Sequence, residues 1–310
     1  MSGTLVVVGD ALLDRDLSGS VTRLCPDAPV PVVEDLTERA RPGGAGLAAL
    51  LAARDGHDVV LVTALAADPA GDRLRILLER AGITVVSTGC GGETTQKVRV
   101  RGAGQVLLRL DYGTQPGEIG ACTAAMRRAI GQAGAVLVAD YGRGVAASEP
   151  IRSALATAGG PVVWDPHPRG PAPVAGIRLA TPNLAEARSV APPSGGEPGL
   201  HVAAPPWASC AEQVRARWGV EAVAVTLGAD GAVLARAGSA PLHVPAQPVD
   251  GDTCGAGDRF ASAAAGALLA GATLPRAVAA AVAAATAYVA AGGPASLDVT
   301  EDVFEPMEVR

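Results

Sequence analysis

The chain has 310 residues, of which 49% are hydrophobic, and its formal net charge is −6 at pH 7. That length and apolar content suit one large α/β domain or two modest ones. A duplex-binding protein needs a basic face, so the charge argues against a nucleic-acid partner. The five cysteines form no CxxC pair, which argues against a zinc site or a disulfide framework and favours a reducing cytoplasm.

The N-terminal residues predict a buried strand and not a signal peptide. Residues 5–8 are the longest apolar run there, and no basic leader precedes them. The most hydrophobic region, 260–291, is rich in alanine and is interrupted at Pro275. Each half is shorter than the ~20 residues that a bilayer span needs. We therefore predict two buried helices and no membrane association.

Apolar runs and helical patterns alternate along the chain. After the strand at 5–8, the predicted order is helix 44–54, strand 59–65, helix 71–81, strand 84–87, helix 119–132, strand 135–139, helix 151–158, strands 161–164 and 178–181, helix 211–218 and strand 222–226. This alternation predicts an α/β fold with a central, mainly parallel sheet and helices on both faces.

Two stretches interrupt the alternation. Residues 29–36 have extended character, and residues 94–111 predict a β-hairpin around 101–104. Neither contains the helix that a parallel crossover needs, so we predict a small antiparallel β lid attached to the main sheet. Residues 191–206, rich in proline and glycine, predict a loop.

The strongest functional signal is the segment DGDTCGAGDRF at residues 250–260, which leads directly into a helical pattern. Gly255, Ala256 and Gly257 fall where a loop becomes a helix N-terminus. The free backbone N–H groups there attract anions, and glycine lets a phosphate approach closely. Asp258, in the first helical turn, could accept the proton of an attacking hydroxyl. The alternative is a glycine turn with an ordinary helix-start carboxylate, which a bare GxGD would favour.

This segment resembles the second signature of the ribokinase-like, or phosphofructokinase-B, carbohydrate kinases. The resemblance implies a ribokinase-like three-layer sandwich in which Asp258 is the catalytic base and residues 255–257 form the anion hole. It implies ATP as co-substrate with Thr253 near it, Mg²⁺ as cofactor, and a monovalent cation such as K⁺ near Asp252.

Two further segments fit the nucleotide side of this family. Asn183 and Glu186 lie three apart at a predicted helix start, and the family's Asn-x-x-Glu organises Mg²⁺ through waters and borders ATP. A plain helix cap is the alternative. The family also places residues matching Thr226, Gly228 and Gly231 by the nucleotide, although a hairpin turn alone would explain this segment.

The substrate side of the family is matched by Asp14 after the first strand and by Gly43 and Gly44, where backbone would approach the sugar. Residues 44–49 also fit a GxGxxG/A dinucleotide fingerprint. That fingerprint should follow a strand directly, whereas here Arg41-Pro42 comes before it and no acidic strand end is evident, so we reject that alternative.

Residues 23–33, 95–111 and 140–144 are similar to segments of the heptose 7-phosphate kinases. This likeness makes Asp140 a substrate-binding candidate. A phosphorylated sugar needs cations, and the candidates are Lys97, Arg99, Arg109 and Arg143; Lys97 is the sole lysine of the chain, although a solvated strand lysine is the alternative. Leucine at 47 departs from the family's asparagine and changes what the sugar pocket can recognise.

The sequence thus predicts one kinase domain over residues 1–310, with lid segments at about 14–38 and 93–112. We expect transfer of the ATP γ-phosphate to a phosphorylated sugar, a heptose 7-phosphate, and a homodimer formed through the lid. Two alternatives stay open: a kinase for another sugar or a nucleoside, and a non-catalytic sugar or nucleotide sensor on the same fold.

Overall fold

The computed structural model describes residues 3–115, 117–192 and 206–297. The strands are β1 (Leu5–Gly9), β2 (Ala11–Leu24), β3 (Pro31–Gly44), β4 (Val59–Leu65), β5 (Thr84–Gly89), β6 (Gln96–Gly102), β7 (Gln105–Tyr112), β8 (Ala135–Ala139), β9 (Val162–Asp165), β10 (Leu179–Ala180), β11 (Ala222–Thr226), β12 (Ala232–Arg236) and β13 (Ser239–Val244). The α-helices are α1 (Ala45–Arg54), α2 (Pro69–Arg80), α3 (Ala124–Gly131), α4 (Glu149–Ala156), α5 (Leu184–Val190), α6 (Pro206–Trp218), α7 (Ala256–Leu269) and α8 (Leu274–Ala290).

The main sheet has nine strands in the order β13-β12-β11-β10-β9-β8-β1-β4-β5. The seven strands from β11 to β5 run parallel, and β12 and β13 run antiparallel at one edge. The predicted α/β class and the mainly parallel sheet are therefore confirmed. Because the seven strands share one direction, the residues that follow them collect along a single edge, where α/β proteins usually bind ligands.

Each face of the sheet is covered by helices. Leu5 and Val7 of β1 point to one core, with residues of α1, α2, α7 and α8, while Val6 and Val8 point to the other, with residues of α3 to α6. This strict alternation explains why an unbroken apolar run forms β1, since a strand buried on both faces has no polar side. The predicted break near Pro275 is also confirmed, because α7 and α8 are separate helices with Pro275 in the first turn of α8.

A second sheet of four strands, β3-β2-β6-β7, forms the lid. It consists of two antiparallel hairpins, β2–β3 and β6–β7, laid side by side so that β2 and β6 run parallel. An ion-pair network holds it to the body, because Glu38 of β3 accepts from Arg15 at 2.8 Å and from Arg73 of α2 at 2.6 Å.

Residues 11–24 form one long strand, which apolar periodicity did not indicate because Asp14, Arg15 and Asp16 interrupt the alternation. The predicted loop at 191–206 lies largely outside the described residues. Within the described ranges, no helix combines the length and hydropathy that crossing a bilayer requires.

Candidate active site

Asp258 lies in the first turn of α7 and is only 5% exposed. Gly255 precedes the helix with φ +79°, a left-handed conformation that glycine adopts without strain. The Tyr141 hydroxyl donates to the Asp258 carboxylate, with Oη 2.7 Å from Oδ2 and 2.9 Å from Oδ1. A carboxylate is thus held in a defined position beside a helix N-terminus.

Burial raises the pKa of Asp258 to about 7, while the Tyr141 hydrogen bond and the Lys97 charge act in the opposite direction. A base with a pKa near the working pH is ionised in a useful fraction and still accepts a proton well. The arrangement therefore gives Asp258 the protonation behaviour that a general base needs.

Tyr141 connects Asp258 to the lid. The Lys97 ammonium of β6 lies 5.2 Å from the centre of the Tyr141 ring, within the range of a cation–π contact. His167 stacks on the same ring, with centroids 6.3 Å apart. The sequence analysis did not select Tyr141 or His167 as site residues. Their position directly after the parallel strands β8 and β9 is the signal that could have identified them.

A cavity of about 200 Å³ opens on one side of the α7 N-terminus. Four predicted nucleotide residues line it, namely Thr226, Gly228, Gly231 and Thr253, together with Ala256 and Gly257. The rest of the wall is mainly apolar and includes Val249, Phe260, Val282 and Val289. No atom lies within 4 Å of where a Cβ would stand at Gly257. The cavity thus combines an apolar region with open space at exposed helix amides, as a flat base carrying phosphates would require.

Asn183 and Glu186 form a capping box at the start of α5. The Asn183 side chain accepts from the Glu186 N–H at 2.9 Å, and the Glu186 carboxylate accepts from the Asn183 N–H at 2.9 Å. Neither residue lines the 200 Å³ cavity, although Asn183 bridges to Thr226, which does. The helix cap that was the alternative to a metal site is therefore present. Any role of this pair in metal binding would be additional to capping the helix.

Carboxylates gather at the carboxyl edge of the sheet. Burial raises the pKa of Asp140 to about 6, and the charges of Asp10 and Glu186 add to that effect. Burial also raises the pKa of Asp165, with a contribution from Asp258. Asp140 Oδ2 is buried and finds no hydrogen-bond partner among the residues that the structure describes. Closely placed acids with an unsatisfied oxygen are an environment that a cation would stabilise.

Asp10, which the sequence analysis did not select, organises the turn after β8. Its carboxylate accepts the N–H groups of Tyr141, Arg143 and Val145 at 3.0 to 3.1 Å. Since Tyr141 belongs to this turn, Asp10 fixes the backbone that supports the phenol at Asp258.

On the lid side, Asp14 is buried and pairs with Arg99 at 3.0 Å. A Cβ at Gly43 would stand 2.6 Å from Asp14 Oδ2, and Gly44 has φ +58°. The two glycines thus allow β3 to pass close to Asp14. This places three predicted substrate residues together with Arg99 beneath the lid.

Two of the cations predicted to bind the sugar phosphate make other contacts in the structure. Arg109 forms an exposed ion pair with Asp111 at 2.8 Å on β7. The Arg143 guanidinium donates to the backbone carbonyls of Gly113, Thr114 and Gln115, where it fastens the end of the lid. Both guanidinium groups are therefore already occupied.

Leu47 is 3% exposed and belongs to a small apolar cluster with Leu51, Tyr288 and Val289. Its Cδ2 and the Tyr288 hydroxyl lie 2.8 and 2.9 Å from where a Cβ would stand at Gly255. Leu47 thus packs against the loop that leads into α7. Asp252, on the same loop, accepts the Cys254 N–H at 2.9 Å, and in the described residues no group of three or more acids, histidines or cysteines is arranged to hold a metal alone.

Comparisons with known proteins agree with this geometry. The profile described as "pfkB family carbohydrate kinase" matches residues 3–301. The chain is 52% identical over 296 residues to the bifunctional protein HldE of Streptomyces coelicolor, covering 94% of this chain and 61% of that protein. It is 37% identical over 301 residues to HldE of Azotobacter vinelandii, covering 96% and 62%. The chain thus spans about three fifths of the length of these curated relatives.

Solved structures share the fold. Arabidopsis thaliana ribokinase, complexed with ribose and ATP, superposes with a TM-score of 0.67 at 23% identity, and 93% of each chain is covered. Escherichia coli phosphofructokinase-2, in complex with fructose-6-phosphate, gives a TM-score of 0.72 at 18% identity, with 94% and 95% covered. The ribokinase-like fold expected from the sequence is confirmed, and the chain belongs to the pfkB family of carbohydrate kinases.

Proposed function

We propose that this protein is an ATP-dependent kinase that transfers the γ-phosphate of ATP to a hydroxyl of a phosphorylated sugar. A heptose 7-phosphate is the proposed acceptor, giving the 1,7-bisphosphate. The observation that carries the proposal is the buried Asp258 carboxylate at the N-terminus of α7, beside a cavity lined by Ala256 and Gly257. The likeness to HldE proteins supports the choice of acceptor.

In the proposed reaction, Asp258 accepts the proton of the acceptor hydroxyl as its oxygen attacks the γ-phosphorus. The bond from that phosphorus to the ADP oxygen breaks, and ADP leaves with the electron pair. The N–H groups at the start of α7, around Gly255, Ala256 and Gly257, stabilise the negative charge on the transferred group. Thr226, Gly228, Gly231 and Thr253 would border the nucleotide.

The acidic edge of the sheet fits a divalent cation, because Asp140 has an unsatisfied oxygen among the described residues, and burial together with the charges of Asp10 and Glu186 raises its pKa. Glu186 and Asn183 would hold Mg²⁺ through waters, since Mg²⁺ takes few protein carboxylates and relies on phosphates and water for its remaining ligands. When bound, Mg²⁺ neutralises charge on the ATP phosphates. Asp252 is the proposed neighbour of a monovalent cation, K⁺.

On the sugar side, Asp14 would accept hydrogen bonds from substrate hydroxyls and the chain at Gly43 and Gly44 would approach the sugar closely. Lys97 is the predicted cation whose charge lowers the pKa of Asp258, and it would bind the acceptor beside Tyr141. The lid would cover the sugar and exclude water, which limits hydrolysis of ATP. The free state of all five cysteines supports a reducing cytoplasm as the site of the reaction.

We also propose a homodimer through the lid. Leu17, Val100 and Leu108 are register partners on adjacent strands, so they share the face of the lid opposite to Asp14 and Lys97. Leu108 is 52% exposed and Leu110 36%. Exposed apolar side chains grouped on one face of a sheet favour an interaction surface, and a second copy of the lid would cover them.

The acceptor could instead be another sugar or a nucleoside. Leu47 favours this second candidate, because its apolar side chain offers no hydrogen bond to a sugar hydroxyl.

The test is an ADP-release screen of the purified protein over sugar 7-, 6- and 5-phosphates and the corresponding free sugars. We expect the fastest release with a heptose 7-phosphate and almost none from Asp258→Asn. Release that is equal in wild type and Asp258→Asn would refute the proposed mechanism. Preference for an unphosphorylated acceptor would establish the second candidate.

A further inference from the structure

A second cavity, of about 420 Å³, lies between the charged face of the lid and the turn at residues 292–297. Three arginines line it: Arg39 of β3, Arg41 of β3 and Arg101 of β6. Ser18 and Thr37 add hydroxyl groups to the wall. None of these residues was among the predicted cations or sugar ligands, and the 200 Å³ cavity shares none of them.

The acidic side chains of this cavity do not occupy all of the N–H donors of its arginines. Asp16 receives Arg41 in a direct ion pair and lies 3.8 Å from Arg101, too far for a hydrogen bond. Arg41 is 7% exposed, and its Nε is buried without a partner. Arg39 has no carboxylate within 4 Å among the residues that the structure describes. Asp252, the other acid in the wall, faces the cavity from the α7 loop, so three positive charges meet two negative ones.

The cavity lies on the same face of the lid as Asp14 and Lys97, whose charges act on Asp258. One face of the lid is formed by Asp14, Asp16 and Ser18 of β2, by Arg41, Arg39 and Thr37 of β3, and by Lys97, Arg99 and Arg101 of β6, each set in register with the next. Alternate residues of a strand are about 7 Å apart. Arg39 and Arg101 therefore lie roughly one to two such steps farther from Asp258 than Asp14 and Lys97 do.

The lid cations predicted from the sequence are less suitable for a phosphate group. Arg99 pairs with the buried Asp14, Arg109 with Asp111, and Arg143 with backbone carbonyls. Binding a phosphate at any of these would require breaking an existing contact. Arg39 has no such contact among the described residues, and Arg101 has only its 3.8 Å ion pair with Asp16. Guanidinium groups also match phosphate oxygens well.

We propose that the arginine cavity binds the phosphate group that the acceptor sugar already carries, with Arg39 and Arg101 as direct ligands and Arg41 behind them. This inference rests on the proposed function and assigns the substrate-specificity determinant of the same site. The enzyme would select an acceptor whose phosphate is several bonds from the reacting hydroxyl, because the cavity lies farther along the lid strands than Asp14 and Lys97, whose charges act on Asp258.

The experiment compares Arg39→Ala and Arg101→Ala with wild type, using one sugar in its phosphorylated and its free form. We expect each variant to lose about tenfold or more in kcat/KM for the phosphorylated acceptor, as removal of a charge-assisted contact should, and to keep its rate with the free sugar. Arg23→Ala is the matched control, since Arg23 is an exposed lid arginine paired with Glu34 outside this cavity.

Binding is measured separately from turnover. Inorganic phosphate and the sugar phosphate should each raise the Tm of the wild-type protein, and the shift should shrink in Arg39→Ala but not in Arg23→Ala. Equal losses for phosphorylated and free acceptors, or unchanged Tm shifts, would overturn the subsite while leaving the kinase assignment intact. Absence of ADP release with every acceptor would instead defeat the proposed function, and the Tm shifts would still decide the subsite.

Discussion

At Asp258 the protein keeps an acid whose folded-state pKa, about 7, is above its ordinary value of 3.8 because the side chain is buried. Between those two pH values the folded state holds a proton that the unfolded state releases. The free energy of unfolding therefore falls as pH rises through this window, by up to about 1.4 kcal/mol per unit of pKa difference.

Asp258→Asn removes the free-energy cost of ionising a buried carboxyl group. We expect the variant to have a higher Tm than wild type at pH 8 and a similar Tm near pH 4, as measured by thermal unfolding at both values, while its turnover falls by roughly 10²–10⁴-fold. A Tm at pH 8 below that of wild type would show that the carboxylate stabilises the fold and is not strained by burial.

Tyr141 can be separated from Asp258 through the pH profile. Its hydroxyl lowers the pKa of Asp258, so Tyr141→Phe should move the acidic limb of kcat/KM to higher pH. The variant should lose more activity at pH 6 than at pH 9. A loss of the same size at every pH would mean that Tyr141 only shapes the site and does not tune the base.

At the scale of elements, the two glycines at the start of α7 differ in the space around them. Gly255 has φ +79°, and a Cβ there would stand 2.8 Å from Leu47 and 2.9 Å from the Tyr288 hydroxyl, whereas a Cβ at Gly257 would meet no described atom within 4 Å. Gly255→Ala should lower Tm by several degrees through strain and crowding. Gly257→Ala should keep Tm and weaken ATP binding, because its methyl group enters the cavity. Calorimetric titration with ATP and thermal unfolding test both, and equal Tm losses would contradict this reading.

The site could be predicted where its residues are neighbours in sequence. Residues 250–260 carry the glycine loop, the start of α7 and Asp258 together, so their composition predicted their arrangement. Tyr141 and Asp10 could not be found in this way, because only the pairing of β1 with β8 brings them together. The β6–β7 hairpin predicted the lid. Strand β2 was not predicted, because the ion-paired residues Asp14 and Asp16 interrupt the alternation of apolar and polar residues that indicates a strand.

At the scale of the whole molecule, one face of the lid lines the arginine cavity, and the opposite face carries the exposed Leu108 and Leu110 as well as the Arg15–Glu38 ion pair. Leu108→Asp should convert the proposed dimer to monomer in light scattering coupled to size-exclusion chromatography, since a charge in an apolar interface is costly. Leu242→Asp, at an exposed position on β13 of the main sheet, is the control. A monomeric wild type, or a dimeric Leu108→Asp, would disprove this interface.

Lys97 supplies the sole side-chain amine of the chain and lies over the Tyr141 ring. An amine-selective acylating reagent therefore has one side-chain target, which is on lid strand β6. Its rate of modification would report whether the cleft is occupied, and protection by nucleotide or by sugar could be followed separately by mass spectrometry. The enzyme thus carries a built-in handle for fluorophores or cross-linkers without any engineered cysteine.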